Sequence, residues 1–292
     1  YGRNAGGQVE LITRSGSNEY HGAVFEYLRN TALNANDFFS NKSGIAKPMF
    51  IQNMFGGNFG GPIRHNKLFI FGNFQGRRTH QQVSRNRTVP TDLAKQGIFQ
   101  YLSGGVPQRF DVLNADPRHK GIDPTIATLL KIYPSPNNFD VGDGLNYAGY
   151  RFNNPATGME DQFTTKADYN LKDNQHLFAR VSWQRNSGID TTNSADAYFP
   201  GEPQGTQGGK RWGVAGGWDW TVSPTVVNQF RYGHQSATTA FLRPSRVAGT
   251  MYTFNQWTMP IYNAFGSGRN SPVNEYTDNV TRIHGNHTLK AG

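Results

Sequence analysis

The feature that most constrains this chain is a rhythm of connections. Stretches in which apolar and polar residues alternate with period two are joined, in turn, by long irregular segments and by turns of two to four residues. Period two is the signature of a strand with two chemically different faces. In an antiparallel meander, connections that alternate long and short place every short turn at one end of the sheet and every long loop at the other. Membrane-spanning barrels are built this way. A soluble sandwich favours shorter strands and evenly short turns.

The stretch 53–77 sets the pattern. Phe55, Gly57, Phe59 and Gly61 share one face of a first strand, Arg64-His65-Asn66-Lys67 makes a polar turn, and a second run from Leu68 is dense in Phe and Ile. The Gly-Gly pairs are costly in a strand and predict bends or close approach of a neighbour. Before this hairpin, 7–14 reads as a strand, Ser15 to Asn18 as a turn cluster, 21–30 as a strand with Ala23, Phe25 and Tyr27 opposite Glu26, and 33–52 as a loop. After it, 78–160 reads as one very long connection with two helices. The first is expected at 91–102, capped by Thr91, and the second at 123–133. Asp123 caps the second, and Ile126, Leu129, Leu130 and Tyr133 form its apolar stripe. A connection of that length points to a functional loop.

The cleanest alternation follows. In 161–171, Phe163, Thr165, Ala167, Tyr169 and Leu171 oppose Gln162, Thr164, Lys166, Asp168 and Asn170. Leu177, Ala179, Val181 and Trp183 oppose His176, Arg180, Ser182 and Gln184, and Trp212, Val214, Trp218 and Trp220 oppose Arg211 and Asp219. Further strands are expected at 226–238 and 276–283 and from His287, with loops at 187–209 and 239–274. Strands of about 10–11 residues match what a tilted strand needs to span a bilayer. Tyr27, Trp183, Trp218 and Trp220 are expected in interfacial aromatic girdles.

Composition agrees. Only 36% of residues are apolar, yet 13% are aromatic and 34 of 292 are Gly, which suits a wall with one polar face better than a packed core. No apolar run reaches about 18 residues, so a membrane-crossing helix is excluded while a barrel is not. The absence of Cys removes disulfides and thiolate metal sites. A net charge of +9 raises nucleic acid or anionic lipid as partners, but the basic residues are dispersed and no nucleic-acid partner is expected. No catalytic constellation stands out, so an enzyme and a cofactor are not expected. GGNFGG at 56–61 lacks the Lys-Ser/Thr and the helix of a phosphate loop. Asn138, Asp140 and Asp143 miss the spacing of a calcium loop, and His284 with His287 lacks a third ligand.

Three segments carry a family resemblance: YGRNAGGQVELITRSGSNEYHGAVFEYLRN at 1–30, QNMFGGNFGGPIRHNKLFIFGNFQGRR at 52–78 and TVPTDLAKQGIF at 88–99. Lesser matches lie at 122–137, 171–184 and 287–292. At these residues the chain resembles TonB-dependent outer-membrane receptors of the Oar-like kind. The resemblance implies an all-β antiparallel meander forming part of a transmembrane β-barrel, 22-stranded in the family, with long, partly helical outer loops. It implies that residues 1–17 are the end of a plug domain and its link. Residues 18–292 would then be the N-terminal portion of the barrel, with a long outer loop at about 78–160. It implies a location in the bacterial outer membrane and energised uptake or export of a large or scarce substrate. The expected partners are the TonB-ExbB-ExbD energy-coupling system, reached through a part of the parent chain outside this sequence, outer-membrane lipid or lipopolysaccharide, and an unknown substrate. Both ends fall mid-pattern, so the chain is expected to be a fragment. The alternative reading is a secreted or surface carbohydrate-binding or adhesive β protein, which would close its own core.

Two groups of residues are singled out for function. Arg77, Arg78, Arg85 and Arg87, with His80 nearby, are candidates for contact with lipopolysaccharide phosphate, for which the Arg fork is suited; a solvated loop base would also account for them. Glu26, Gln75, Lys166, Asp168, Arg180, Arg211, Asp219 and Arg231 are candidates for facing the lumen. Phe199, Phe241, Tyr252, Phe254 and Trp257 are loop aromatics that would either grip substrate or pack the loops.

Overall fold

The structure is a computed structural model that describes residues 13–42, 46–191, 198–201, 204–243, 254–259 and 266–292. The strand expected at 7–14 falls mostly outside these residues. In chain order the elements begin with β1 (His21–Asn30), α1 (Phe38–Lys42), β2 (Phe50–Arg64) and β3 (Leu68–Pro90). An insert follows with α2 (Asp92–Lys95), β4 (Ile98–Ser103), β5 (Val106–Asp111), α3 (Val112–Ala115), α4 (Pro124–Leu130), β6 (Asn138–Gly142) and β7 (Tyr147–Pro155). The meander resumes with β8 (Gly158–Lys172), β9 (Gln175–Ile189), β10 (Thr206–Ser223), β11 (Val226–Leu242), β12 (Ser267–His284) and β13 (His287–Ala291).

One antiparallel sheet runs β1-β2-β3-β8-β9-β10-β11-β12-β13, with β7 pairing the far half of β3 and β6 pairing β7. The path ends on β1 and β13 without joining them, so the sheet is not closed among the described residues. Short turns at Asn66, Asp173-Asn174, Pro224-Thr225 and Gly285-Asn286 all lie at one end, and the long connections all lie at the other. Asn66 (φ 61) and Gly285 (φ 58) supply the left-handed conformation that such tight turns require.

The strands are longer than alternation suggested. β2, β8 and β9 have 15 residues, β10 and β12 have 18, and β3 has 23. The expected loop at 78–160 therefore begins with 12 or more residues of continued strand, since β3 runs on to Pro90. The loops at 187–209 and 239–274 are trimmed from both sides in the same way. The reason is physical. Ladder hydrogen bonds hold a strand together whatever its side chains, whereas apolar alternation is required only where one face meets an apolar surrounding. A boundary read from hydropathy marks the apolar band and misses the end of the strand.

Both expected helices are shorter than predicted. Thr91 does cap α2, its Oγ1 accepting from Ala94 N at 3.3 Å, but Gly97 (φ +82) turns the chain after one turn, and 98–103 becomes β4. The apolar residues of 98–102, expected in the helix, serve a hairpin with β5. Asp123 caps α4 as expected. Its Oδ1 accepts from Thr125 and Ile126, and Pro124 opens the helix.

Directly paired residues point to the same side of a sheet, so the register assigns faces. One face holds, strand by strand, Val24, Phe59, Phe74, Phe163, Val181, Trp212, Phe230 and Tyr276 with their period-two neighbours. These side chains are exposed, Val24 at 91% and Tyr276 at 70%. The opposite face holds Asn73, Gln75, Lys166, Arg180, Arg211 and Arg231. An apolar surface that crosses eight strands and that no described residue covers is stable only against an apolar medium. Glycines let rings lie flat on it: a Cβ at Gly76 would meet Phe55 Cζ at 2.6 Å.

The buried core of the described residues lies at the long-loop end. Val89 of β3, Leu130 and Tyr133 from α4 and its exit, and Phe199 from the β9–β10 connection form it, with Ile126, Phe254 and Trp257 packed around them. Thr88 and Thr258 exchange two hydrogen bonds, Thr88 N to Thr258 Oγ1 at 3.0 Å and Thr258 N to Thr88 O at 2.8 Å, while Tyr133 donates to Thr258 O. Three separate connections are thereby bound into one cap on the extension of β3. Each fully buried large side chain contributes about 1.5–3 kcal/mol to it.

Candidate functional site

The polar face carries the chemistry. Asp168 meets Lys166 Nζ at 3.0 Å and His176 Nε2 at 3.6 Å. His176 Nδ1 lies 3.8 Å from Asp219, and Asp219 accepts from Arg231 Nη2 at 2.5 Å. The network therefore crosses β8, β9, β10 and β11. Phe178 sits within it, under Lys166 Nζ at 5.5 Å and Arg231 Cζ at 5.3 Å from the ring centre. Arg231 reaches that ring from two strands away because the intervening residue is Gly217, where a Cβ would collide with both side chains.

The long-loop side of this network is a ladder of amides. Gln75, Gln162, Gln184 and Arg211 are successive cross-strand partners. Gln184 Nε2 also donates to Glu160 at 2.9 Å, and Glu160 holds Arg77 at 2.5 Å.

The lead-in to β1 runs along this same face. Lys166 Nζ donates to Ser15 Oγ at 2.7 Å and Arg180 Nη1 to Thr13 Oγ1 at 3.3 Å. The chain then passes the short-turn end, where Asn18 and Asn66 exchange two hydrogen bonds, of 2.6 and 2.8 Å. Only after that latch does β1 start upward.

Seven of the eight expected lumen residues share the polar face: Gln75, Lys166, Asp168, Arg180, Arg211, Asp219 and Arg231. Glu26 does not. It pairs with Phe55 and shares the apolar face with Val24 and Leu28, because its register parity is opposite to that of Phe25 and Gly56. Lying in the row of Asp161 and Arg185, it belongs to the polar margin above the apolar band. Tyr27 likewise faces the polar side, so it joins no outward girdle, whereas Trp183, Trp218 and Trp220 face outward.

The four candidate arginines are not brought together. Arg77, Arg85 and Arg87 lie on one side of the long strand β3 and Arg78 on the other, a division that the parity of an extended strand imposes. Arg77 pairs with Glu160, and Arg78 with Asp161 at 2.6 Å while resting over the Phe55 ring. Arg85 donates to Thr191 O and Arg87 to Tyr198 O, so both hold the β9–β10 connection against β3. His80 is exposed. Of the loop aromatics, Phe199 is 2% exposed, and it packs with Phe254 and Trp257 around Tyr133. Phe241 lies under Arg243, and Tyr252 falls outside the described residues. Burial commits Phe199 to packing the cap, while Phe254 and Trp257 pack against it and stay partly exposed.

Among the described residues no three metal-binding side chains converge. Asp143 is used locally. Burial pushes its carboxyl up, but the N–H groups of Tyr147, Asn146 and Leu145 outweigh that and hold it below the usual carboxylate value. His284 and His287 flank the last turn as cross-strand partners. Sequence reasoning missed Phe178, Gly217 and the buried pair of Arg243 with Asp190 at 2.9 Å. A single Phe among polar neighbours at 176–184 was the available signal for the first.

The alternative reading, a secreted or surface β protein that closes its own core, finds no support in an apolar face that the described residues leave exposed. A family described as "Outer membrane beta barrel domain" matches residues 12–292. Over 89 residues the chain is 37% identical to a TonB-dependent transporter, Oar, of Myxococcus xanthus. That match takes in 29% of this chain and 8% of the relative, so the similarity spans under a tenth of that protein's length.

Proposed function

Since the chain belongs to the outer membrane beta barrel domain family, and so to the bacterial outer membrane, we propose that it forms the first barrel strands of a TonB-dependent receptor. Such a receptor carries out energised transport of a large or scarce substrate. On this reading residues 1–17 are the end of a plug domain and its link, the polar face is the lumen wall, and the long-loop end is the cell exterior. The parent engages the TonB-ExbB-ExbD system through its N-terminal part. Arg78, the one candidate arginine on the outward side, is the residue placed to meet lipopolysaccharide phosphate, in exchange for Asp161.

The observation that carries the reading is the path of 13–18. A chain that comes along the polar face, bonds Lys166 and Arg180 and leaves past the Asn66 turn has the route of a link from inside a barrel into its first strand. The likeness to the Myxococcus transporter supports it.

The test uses the full-length parent protein. Its outer-membrane fraction should run as a compact band on an SDS gel until boiled, because a closed barrel leaves no strand edge for detergent to open. The purified protein should then bind the periplasmic part of TonB saturably. A soluble product that does not shift would remove the barrel. A shifting barrel that ignores TonB would remove energised transport alone.

A further inference from the structure

The polar face holds a hollow of about 580 Å³ beside the network described above. Its floor is nearly bare backbone: Gly213 and Ala215 are successive inward positions of β10, Gly233 is the β11 partner of Ala215, and a Cβ on Gly233 would meet nothing within 4 Å. Its rim carries Arg180, Arg211 and Arg231 and one carboxylate, Glu275. Arg231 is committed to Asp219 and to the Phe178 ring. Arg180 and Arg211 are different. Among the described residues neither has a carboxylate partner, and the one bond of the Arg180 guanidinium is the 3.3 Å contact to a neutral hydroxyl. Glu275 is in the cross-strand row of Arg180 but three strands away, about 14 Å at the usual spacing.

Arg211 is paired with Gln184, four residues along from Arg180. The two Cα atoms are therefore about 14 Å apart, a gap that two long side chains can close from opposite sides. Ser182, between them on β9, and Gln235, across the floor on β11, add hydrogen-bonding groups. Two guanidinium groups on the rim of a nearly bare floor match a small ligand with several anionic oxygens, which each fork can take in a bidentate manner. The volume is that of a small-molecule site.

We propose that this hollow binds a small polyvalent anion, presented as carboxylate or phosphate groups, between Arg180 and Arg211. The proposal rests on the barrel reading and names the charge class of what the lumen admits. An arriving anion offers Arg180 a charge-assisted bond in place of Thr13, so occupancy also loosens the lead-in segment from the wall.

The test is calorimetry on the full-length parent, purified in detergent at low salt and shown to be heat-modifiable, with citrate and inorganic pyrophosphate as separate probes. At least one should bind saturably and more weakly as salt rises. Arg211→Gln and Arg180→Gln should each weaken it at least tenfold, Arg211→Lys less, and Arg185→Gln, on the opposite face, should leave it unchanged. Binding of citrate alone assigns carboxylate, and binding of pyrophosphate alone assigns phosphate. No saturable heat from either probe on the folded wild type, or equal affinity in all variants, overturns the proposal. A parent protein with no heat-modifiable form would sink the barrel and the site together.

Discussion

Ala179→Arg tests the facing of the wall at its most informative point. Ala179 and Arg180 are neighbours in the chain and stand on opposite faces of β9. On the outward side, Trp183 is the last apolar residue before the charged row of Asp161 and Arg185, and Gln175 begins the strand opposite Trp220. Eight rises of about 3.3 Å from Gln175 to Trp183, tilted by about 40°, give an apolar band roughly 20 Å high. Ala179 is midway, about 10 Å from either margin. An Arg at the bilayer midplane costs a barrel about 2–4 kcal/mol, or roughly 30- to 1,000-fold in the folding equilibrium. Gln235→Arg, exposed on the polar face, should cost about 0.5 kcal/mol or less. The assay is urea unfolding of the full-length parent in lipid vesicles, read by heat-modifiable mobility. If Ala179→Arg behaved like wild type while Gln235→Arg lost 2 kcal/mol or more, the two faces would be exchanged, and the inward role given to Arg180, Arg211 and Arg231 would fall with them.

Other outcomes concern the cap. Leu130→Ala should remove about 2–5 kcal/mol of local stability, seen as faster proteolysis at the long-loop end with the barrel's heat-modifiability unchanged. Arg243→Ala removes one charged partner of the buried Asp190 and should loosen the same loops by about 1.5–3 kcal/mol, read as faster proteolysis there. Because the Asp143 carboxyl is held below its ordinary value, its contribution is present above the ordinary carboxylate value and is lost as pH falls through the lowered one. Hydrogen exchange at Leu145, Asn146 and Tyr147 should therefore accelerate only in acid, relative to an Asp143→Asn variant corrected for intrinsic rate. An unchanged exchange ratio down to pH 2.5 would show that the carboxylate is not what holds that turn.

Much of the wall was legible because a strand's side-chain period is fixed by covalent geometry. Once Phe163 and Val181 were assigned to one side, Lys166 and Arg180 had to be on the other, whatever the partner strand. Glu26 shows where that reasoning stops. Its own strand alternates weakly, with Val24 and Leu28 on one side and Phe25 and Tyr27 on the other, so both faces looked equally apolar. Only the pairing of Phe25 with Gly56, and of Gly56 with Gln75, fixes which side is which. The four arginines fail for a related reason. Closeness in the sequence suggested a cluster, but an extended strand spreads Arg77 and Arg87 over about 33 Å and sends Arg78 to the other side.

What the sequence determined by itself was therefore local: the two-faced strands, the caps at Thr91 and Asp123, the end at which each turn is tight. These follow from the period of the backbone and from groups a few residues apart. What the tertiary structure decided was every relation across the wall. Gly217 lets Arg231 reach Phe178, and the ends of three connections meet at Tyr133. The lead-in lies along Lys166 and Arg180, and Arg180 and Arg211 face one hollow. Each depends on the register between strands far apart in the chain, which is set by ladder pairing and packing summed over the whole sheet and is written in no single stretch of residues.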